Sequence, residues 1–163
     1  MNLEKLKGLC KEIIKFYDEE QKNENILEED IEKISNLRIQ KLLFFIYGFY
    51  WKEKKQEIIP ITFEAWQHGP VIKELYNFII NKLDKSNMKR NNEINFNWFR
   101  DAKTPEYDEN LLNKILKYLS QFSTIRLVNA SHKTEPWLFT ENSKVINNEE
   151  IKKWFEKDVP AIK

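Results

Sequence analysis

Apolar residues return every three to four positions along much of this chain, and the places where that rhythm fails divide it into elements. Leu3, Leu6, Cys10, Ile13 and Tyr17, with Leu9, Ile14 and Phe16 beside them, predict a first amphipathic helix. The acidic segment from Asp18 to Glu32 follows, and reads as a solvated loop or exposed helix end. Ser35 and Asn36 are favoured N-cap types, so a second helix starts there. From Leu37 to Trp51 it is apolar on nearly every side apart from Arg38, Gln40 and Lys41, the pattern of a central buried helix. Gly48 inside it lowers helix propensity and fits a close crossing with another helix.

After a polar connection (52–57) and an irregular stretch containing Pro60, Val71, Leu75, Phe78 and Ile79 predict a third helix to about Leu83. The polar segment 84–92 is expected to be a loop. Ile94, Phe96 and Trp98 alternate with Asn95 and Asn97, a period of two that predicts a short strand. Asp108 caps a helix whose stripe is Leu111, Leu112, Ile115, Leu119 and Phe122. Ser123 and Thr124 start a short helix through Leu127 and Val128, which Pro136-Trp137-Leu138 interrupts. Asn147, with Glu150 three residues on, resembles a capping box before a last helix burying Ile151, Trp154 and Phe155. The sum is a mainly α protein: residues 1–163 as a single compact helical domain with a minor short β element.

One corner stands out within this pattern. The chain has three glycines, and Gly69 directly precedes Pro70 in the run Phe63-Glu64-Ala65-Trp66-Gln67-His68-Gly69-Pro70-Val71. Glycine meets the backbone restriction before proline at least steric cost. Pro70, with φ pre-set and no N–H to lose, suits the first position of the following helix. A turn leading directly into an amphipathic helix is the expectation. Trp66 is open between a core anchor and a half-exposed anchor for a partner, where tryptophan is enriched.

Composition narrows the function classes. Lysine and arginine total 27 against 26 aspartates and glutamates, so the net charge of +1 gives no global case for nucleic-acid binding. Cys10 is the only cysteine, which excludes an intramolecular disulfide and a Cys-rich zinc site. The densest apolar run, Leu42 to Trp51, is about half of the roughly 20 residues that span a bilayer, so no membrane association and a cytoplasmic location are expected. Gly8, Gly48 and Gly69 are too scattered for a phosphate-cradling loop. His68, His132 and Cys10 lack metal-ligand spacing, so no metal and no cofactor are expected. Cys10 on an apolar helix face reads as a small hydrophobe rather than a nucleophile. No catalytic residue emerges. His132 reads either as the end of a helix, with Pro136 stopping its continuation and Trp137 folding into the core, or as a binding residue beside a groove with Trp137. Lys41 reads as a side chain that snorkels to the surface rather than a charge turned towards a site.

Four stretches, in order, resemble the Panacea antitoxin domain family, also called SocA-like or GepA-type. They are Leu37-Arg38-Ile39-Gln40-Lys41-Leu42-Leu43-Phe44-Phe45; Glu64-Ala65-Trp66-Gln67-His68-Gly69-Pro70-Val71 with Tyr76; Leu127-Val128-Asn129-Ala130-Ser131-His132-Lys133 with Pro136-Trp137; and the closing Ile146 to Phe155. The recognisable region is 37–155, preceded by an N-terminal helix and acidic segment (1–34). The resemblance marks Lys41, Trp66, Gly69, Pro70, Tyr76, His132, Pro136 and Trp137 as scaffold or partner-binding positions. It implies an antitoxin, not an enzyme, that neutralises a co-encoded protein toxin by direct binding. One similar member acts as an adaptor to a protease, so a bacterial protease or chaperone is a further expected partner. The alternative is a nucleic-acid-binding regulator or phage accessory protein using Lys52, Lys54, Lys55, Lys82, Lys85, Lys89 and Arg90, and solvated loops explain those residues better.

Overall fold

The computed structural model describes residues 2–27, 33–86 and 93–157. Within them the chain is mainly helical, with helices α1 (Leu3–Asn23), α2 (Asn36–Lys54), α3 (Lys73–Ser86), α4 (Glu109–Leu119), α5 (Thr124–His132), α6 (Glu135–Leu138) and α7 (Asn148–Lys157). Two three-residue strands, β1 (Glu64–Trp66) and β2 (Gly69–Val71), form an antiparallel hairpin.

The predicted caps close the helices as their chemistry dictates. Ser35 accepts from the Arg38 N–H at 3.0 Å, Asp108 from the Leu111 N–H at 3.0 Å and Ser123 from the Arg126 N–H at 3.2 Å. Each satisfies an N–H that has no partner within its own helix. Asn147 accepts from the Glu149 N–H at 2.8 Å at the start of α7.

α2 is the axis of the core, and α4, α5, α7 and β2 pack around it. Ile39, Leu42, Leu43, Phe44, Phe45, Ile46 and Tyr47 are all fully buried, as its all-round apolar pattern requires. Phe44 meets Phe45, Phe63 and Phe155 edge-on, with ring centres 5.4–5.7 Å apart. Gly48 is where α7 crosses, and a Cβ there would collide with the Phe155 ring. Cys10 lies buried on α1, and burial holds its thiol far above the usual range, so it is an inert hydrophobe. Arg38 ties three regions together: it donates to the Tyr17 hydroxyl, to the Thr124 hydroxyl at 3.1 Å and to the Phe122 carbonyl at 2.8 Å.

Several expectations are corrected. Of the two readings of the acidic segment, its beginning takes the helix end, since α1 runs on through Asn23; residues 28–32 lie outside the described residues. α3 extends to Ser86, and the rest of the expected loop, 87–92, also lies outside them. The strand expected at Ile94–Trp98 is a 3-10 turn, Phe96–Trp98, because the Asn95 side chain accepts from the Asn97 N–H at 2.9 Å and curls the chain. Pro136 opens α6 rather than breaking a continuing helix: α5 already ends at His132, and proline fits a first turn.

Candidate functional site

The corner around Gly69 is a hairpin, not a turn running directly into a helix. Glu64 pairs with Val71, Ala65 with Pro70 and Trp66 with Gly69, leaving Gln67 and His68 as a two-residue turn. Pro70 is therefore a strand residue, and α3 begins three positions later at Lys73. It stands one step in from the turn-closing pair, where an antiparallel ladder asks for no N–H. Gly69 has φ +111°, a conformation that only glycine adopts readily. The space beside it is also taken: a Cβ would lie 2.5 Å from the Ser131 hydroxyl and 2.8 Å from Lys41 Cε.

Lys41 does not snorkel. It is fully buried, and its ammonium donates to the Pro70 carbonyl at 2.7 Å. Burial pushes its pKa down to about 7. The preceding residue, Gln40, accepts from the Ile72 N–H at 2.8 Å and donates to Asn36 Oδ1 at 3.2 Å. Ile72 in turn accepts from the Tyr76 N–H at 2.9 Å in the first turn of α3. Two adjacent side chains of α2 thus hold both sides of the Pro70–Ile72 backbone, and set where the hairpin ends and α3 begins. Gln40 was not singled out from the sequence, although two adjacent polar residues in a helix otherwise apolar all round are a signal.

The third motif closes over the hairpin. His132 stacks on Trp137, with ring centres 4.2 Å apart and planes 18° from parallel. The Trp137 indole donates to the Trp66 carbonyl at 2.9 Å. Trp66 meets Tyr76 edge-on at 4.9 Å, and its indole donates to Glu64 at 3.2 Å. Ser131, part of the third motif but not among the eight marked residues, is buried beneath Gly69 and donates to the Val128 carbonyl at 2.7 Å. Burial holds the His132 imidazole below its ordinary pKa, and the nearby Lys41 and His68 act in the same direction. The Gln67 and His68 backbone pulls weakly the other way. His132 Nε2 is buried without a hydrogen-bond partner among the described residues.

The eight residues marked by the sequence therefore come together, in two layers. Lys41, Gly69, Pro70 and Pro136 are buried; Trp66, Tyr76, His132 and Trp137 are half-buried above them. A further strand-like segment continues the outer layer. Ser143 and Ile146 donate to the Ala65 and Phe63 carbonyls at 2.6 and 2.8 Å, and Ala65 donates to Lys144 at 2.9 Å, so Val145 pairs beside Glu64. Val145 and Phe139 are among the most exposed large apolar side chains described, at 59% and 80%.

Of the basic residues considered for a nucleic-acid surface, Lys54 is bonded to Asp108 at 2.7 Å and Lys55 to Glu156 at 3.0 Å. Lys85, Lys89 and Arg90 lie where no side chain is described. Among the described residues, no group of three or more His, Cys, Asp or Glu side chains could hold a metal ion. No described helix is long and apolar enough to cross a membrane.

Comparison with known proteins gives this arrangement its family. No solved structure matches the chain. Antitoxin SocA of Caulobacter vibrioides (strain NA1000 / CB15N) is 32% identical over 113 residues, which are 64% of this chain and 58% of that protein. The chain thus spans under two thirds of that relative's length. The model of the family described as "Antitoxin SocA-like, Panacea domain" matches residues 39–138, from α2 through the hairpin to the end of α6. That span contains every one of the eight residues, and the chain belongs to the SocA-like Panacea domain antitoxin family.

Proposed function

We propose that this chain is a cytoplasmic antitoxin that neutralises a co-encoded protein toxin by binding it directly, without catalysis. The observation that carries the reading is the two-layered site. A buried layer of Lys41, Gln40, Gly69 and Ser131 fixes the hairpin, and a half-buried layer of Trp66, Tyr76, His132 and Trp137 lies over it. Aromatic side chains already held by hydrogen bonds and ring contacts lose little conformational freedom when a partner covers them. Tryptophan and tyrosine are the residue types that dominate such interfaces. Membership of an antitoxin family, and the name of the Caulobacter relative, supply the class of partner.

Co-expression tests the reading. The product of the adjacent gene should arrest growth alone, and this chain should restore growth and co-purify with it as a complex. Rescue without a complex would sink direct inhibition.

A further inference from the structure

A titratable ring closes the aromatic layer. His132 stacks on Trp137 with ring centres 4.2 Å apart, and the Trp137 indole donates to the Trp66 carbonyl at 2.9 Å. Trp137 is thus held between an imidazole and a strand carbonyl. The buried His132 Nε2 has no hydrogen-bond partner among the described residues. In a neutral imidazole that leaves one acceptor site unused, a modest loss. A proton would turn Nε2 into a charged N–H, still buried and still unpartnered, and that loss is far larger.

The groups around the ring give such a proton little compensation. From α2 the buried Lys41 amine opposes it, and from the hairpin turn so does His68. Glu64 of β1 is engaged by the Trp66 indole at 3.2 Å, Tyr76 of α3 meets Trp66 edge-on, and Glu135 of α6 is exposed. Along α5 itself Lys133 is exposed and Arg126 lies over the Phe122 ring, while Arg38 of α2 reaches Thr124 at the opposite end. The Gln67 and His68 backbone favours a charge, but more weakly than burial and the two bases disfavour it. The indole face also welcomes a cation, yet a face contact supplies no acceptor for the buried N–H. By turning out to water the protonated ring regains its hydrogen bonds, and turning breaks the stack.

We infer that the His132–Trp137 stack is a proton-sensitive clasp: the neutral imidazole holds Trp137 over the hairpin, and a proton taken up in mild acid releases it and weakens the grip of the aromatic layer on the protein partner. The inference rests on the direct-binding reading above and names a regulation of that same site. Its sign follows from burial. The closed ring is held below its ordinary pKa, whereas the released ring sits in water. The released form therefore binds the proton more tightly, and gains on the closed form as pH falls below about 6.5.

The chain has five tryptophans and two histidines, few enough to follow one by one. In the full chain labelled with 5-fluorotryptophan, a neutral nitroxide in solution broadens the fluorine signals of rings that solvent reaches. Trp137→Phe identifies the Trp137 signal, and His68→Asn tells the two imidazole signals apart. From about pH 7.5 to about pH 5.5, a span that brackets an ordinary histidine, broadening of the Trp137 signal should rise several-fold. It should do so in step with the His132 ring titration, while the Trp51 signal stays as it was. His132→Phe, which keeps a ring for the stack and takes no proton, should lose the response. Equal shielding of Trp137 at both pH values would overturn the clasp, as would the same acid response in His132→Phe. Simultaneous exposure of all five tryptophans would mean general acid unfolding and overturn it too. If His132→Phe does not fold, the wild-type comparison alone decides. The adjacent gene's product separates the two levels. Its binding should weaken by about three- to tenfold over the same span, tenfold being roughly the ceiling for one group of ordinary pKa about 6.5. Undiminished binding in mild acid would sink the regulation and leave direct binding standing; no binding at either pH would sink direct binding.

Discussion

Gly69 and Lys41 carry the site at the scale of single residues, and neither tolerates a conventional replacement. Gly69→Ala adds a Cβ at φ +111° into space held by Ser131 and Lys41. The loss should be roughly 1–3 kcal/mol, read as a lower midpoint in urea unfolding. Lys41 makes a sign-specific prediction. Its folded pKa of about 7 lies below the roughly 10.4 of an unfolded lysine. Between those values the unfolded chain holds a proton that the folded chain has released, so folding becomes more favourable as pH rises through the window. Below about 7 both states are protonated and the slope vanishes. From pH 7 to 9 the wild type should therefore gain on the order of 1–2 kcal/mol over Lys41→Met, measured by denaturant unfolding of both at each pH. A parallel pH dependence in the two proteins would contradict a buried, depressed amine. The burial of Lys41 was not legible in the sequence. A lysine in an apolar helix ordinarily sends its head to water, and what prevents it here is the hairpin laid across α2 from 29 residues further on.

The elements were legible wherever local chemistry decides them. Caps at Ser35, Asp108 and Ser123 depend on a side chain reaching an N–H two or three residues away, and each stands where the residue types place it. Asp108→Ala removes both the cap of α4 and the contact with Lys54, and should cost about 0.5–2 kcal/mol in a thermal melt, mostly through the cap. The β hairpin was not legible for a physical reason. Strands of three residues are too short to display a period of two, and Gly-Pro before an amphipathic run satisfies the rules for a helix start equally well. The deciding interaction is the Gln40 side chain on the Ile72 N–H, a contact across 32 positions. Gln40→Leu should leave that N–H unsatisfied and cost about 1–3 kcal/mol, read as a lower denaturant midpoint than that of the wild type. The alternation at Ile94–Trp98 misled in the opposite sense, since the Asn95 side chain captures the backbone locally, directly after Ile94 has donated to the Ile34 carbonyl.

For the molecule as a whole, one buried helix organises both the core and the candidate site. α2 gives its apolar surface to α4, α5 and α7, and its two consecutive polar residues to the hairpin beneath the aromatic layer. Trp66, undecided between core and interface in the sequence, is half-buried. The overall plan was visible because burial of a helix face imposes its own periodicity. The assembly of the four motifs into one site was visible only through their resemblance to the family, since nothing in their spacing brings Trp137 to Trp66. The most direct test of direct neutralisation is isothermal titration of the purified chain with the product of its adjacent gene. A saturable complex with a dissociation constant of about 1 μM or tighter, weakened about thirtyfold by Trp66→Ala while the variant stays folded, is the predicted result. No measurable binding, in a pair whose co-expression still restores growth, would contradict it.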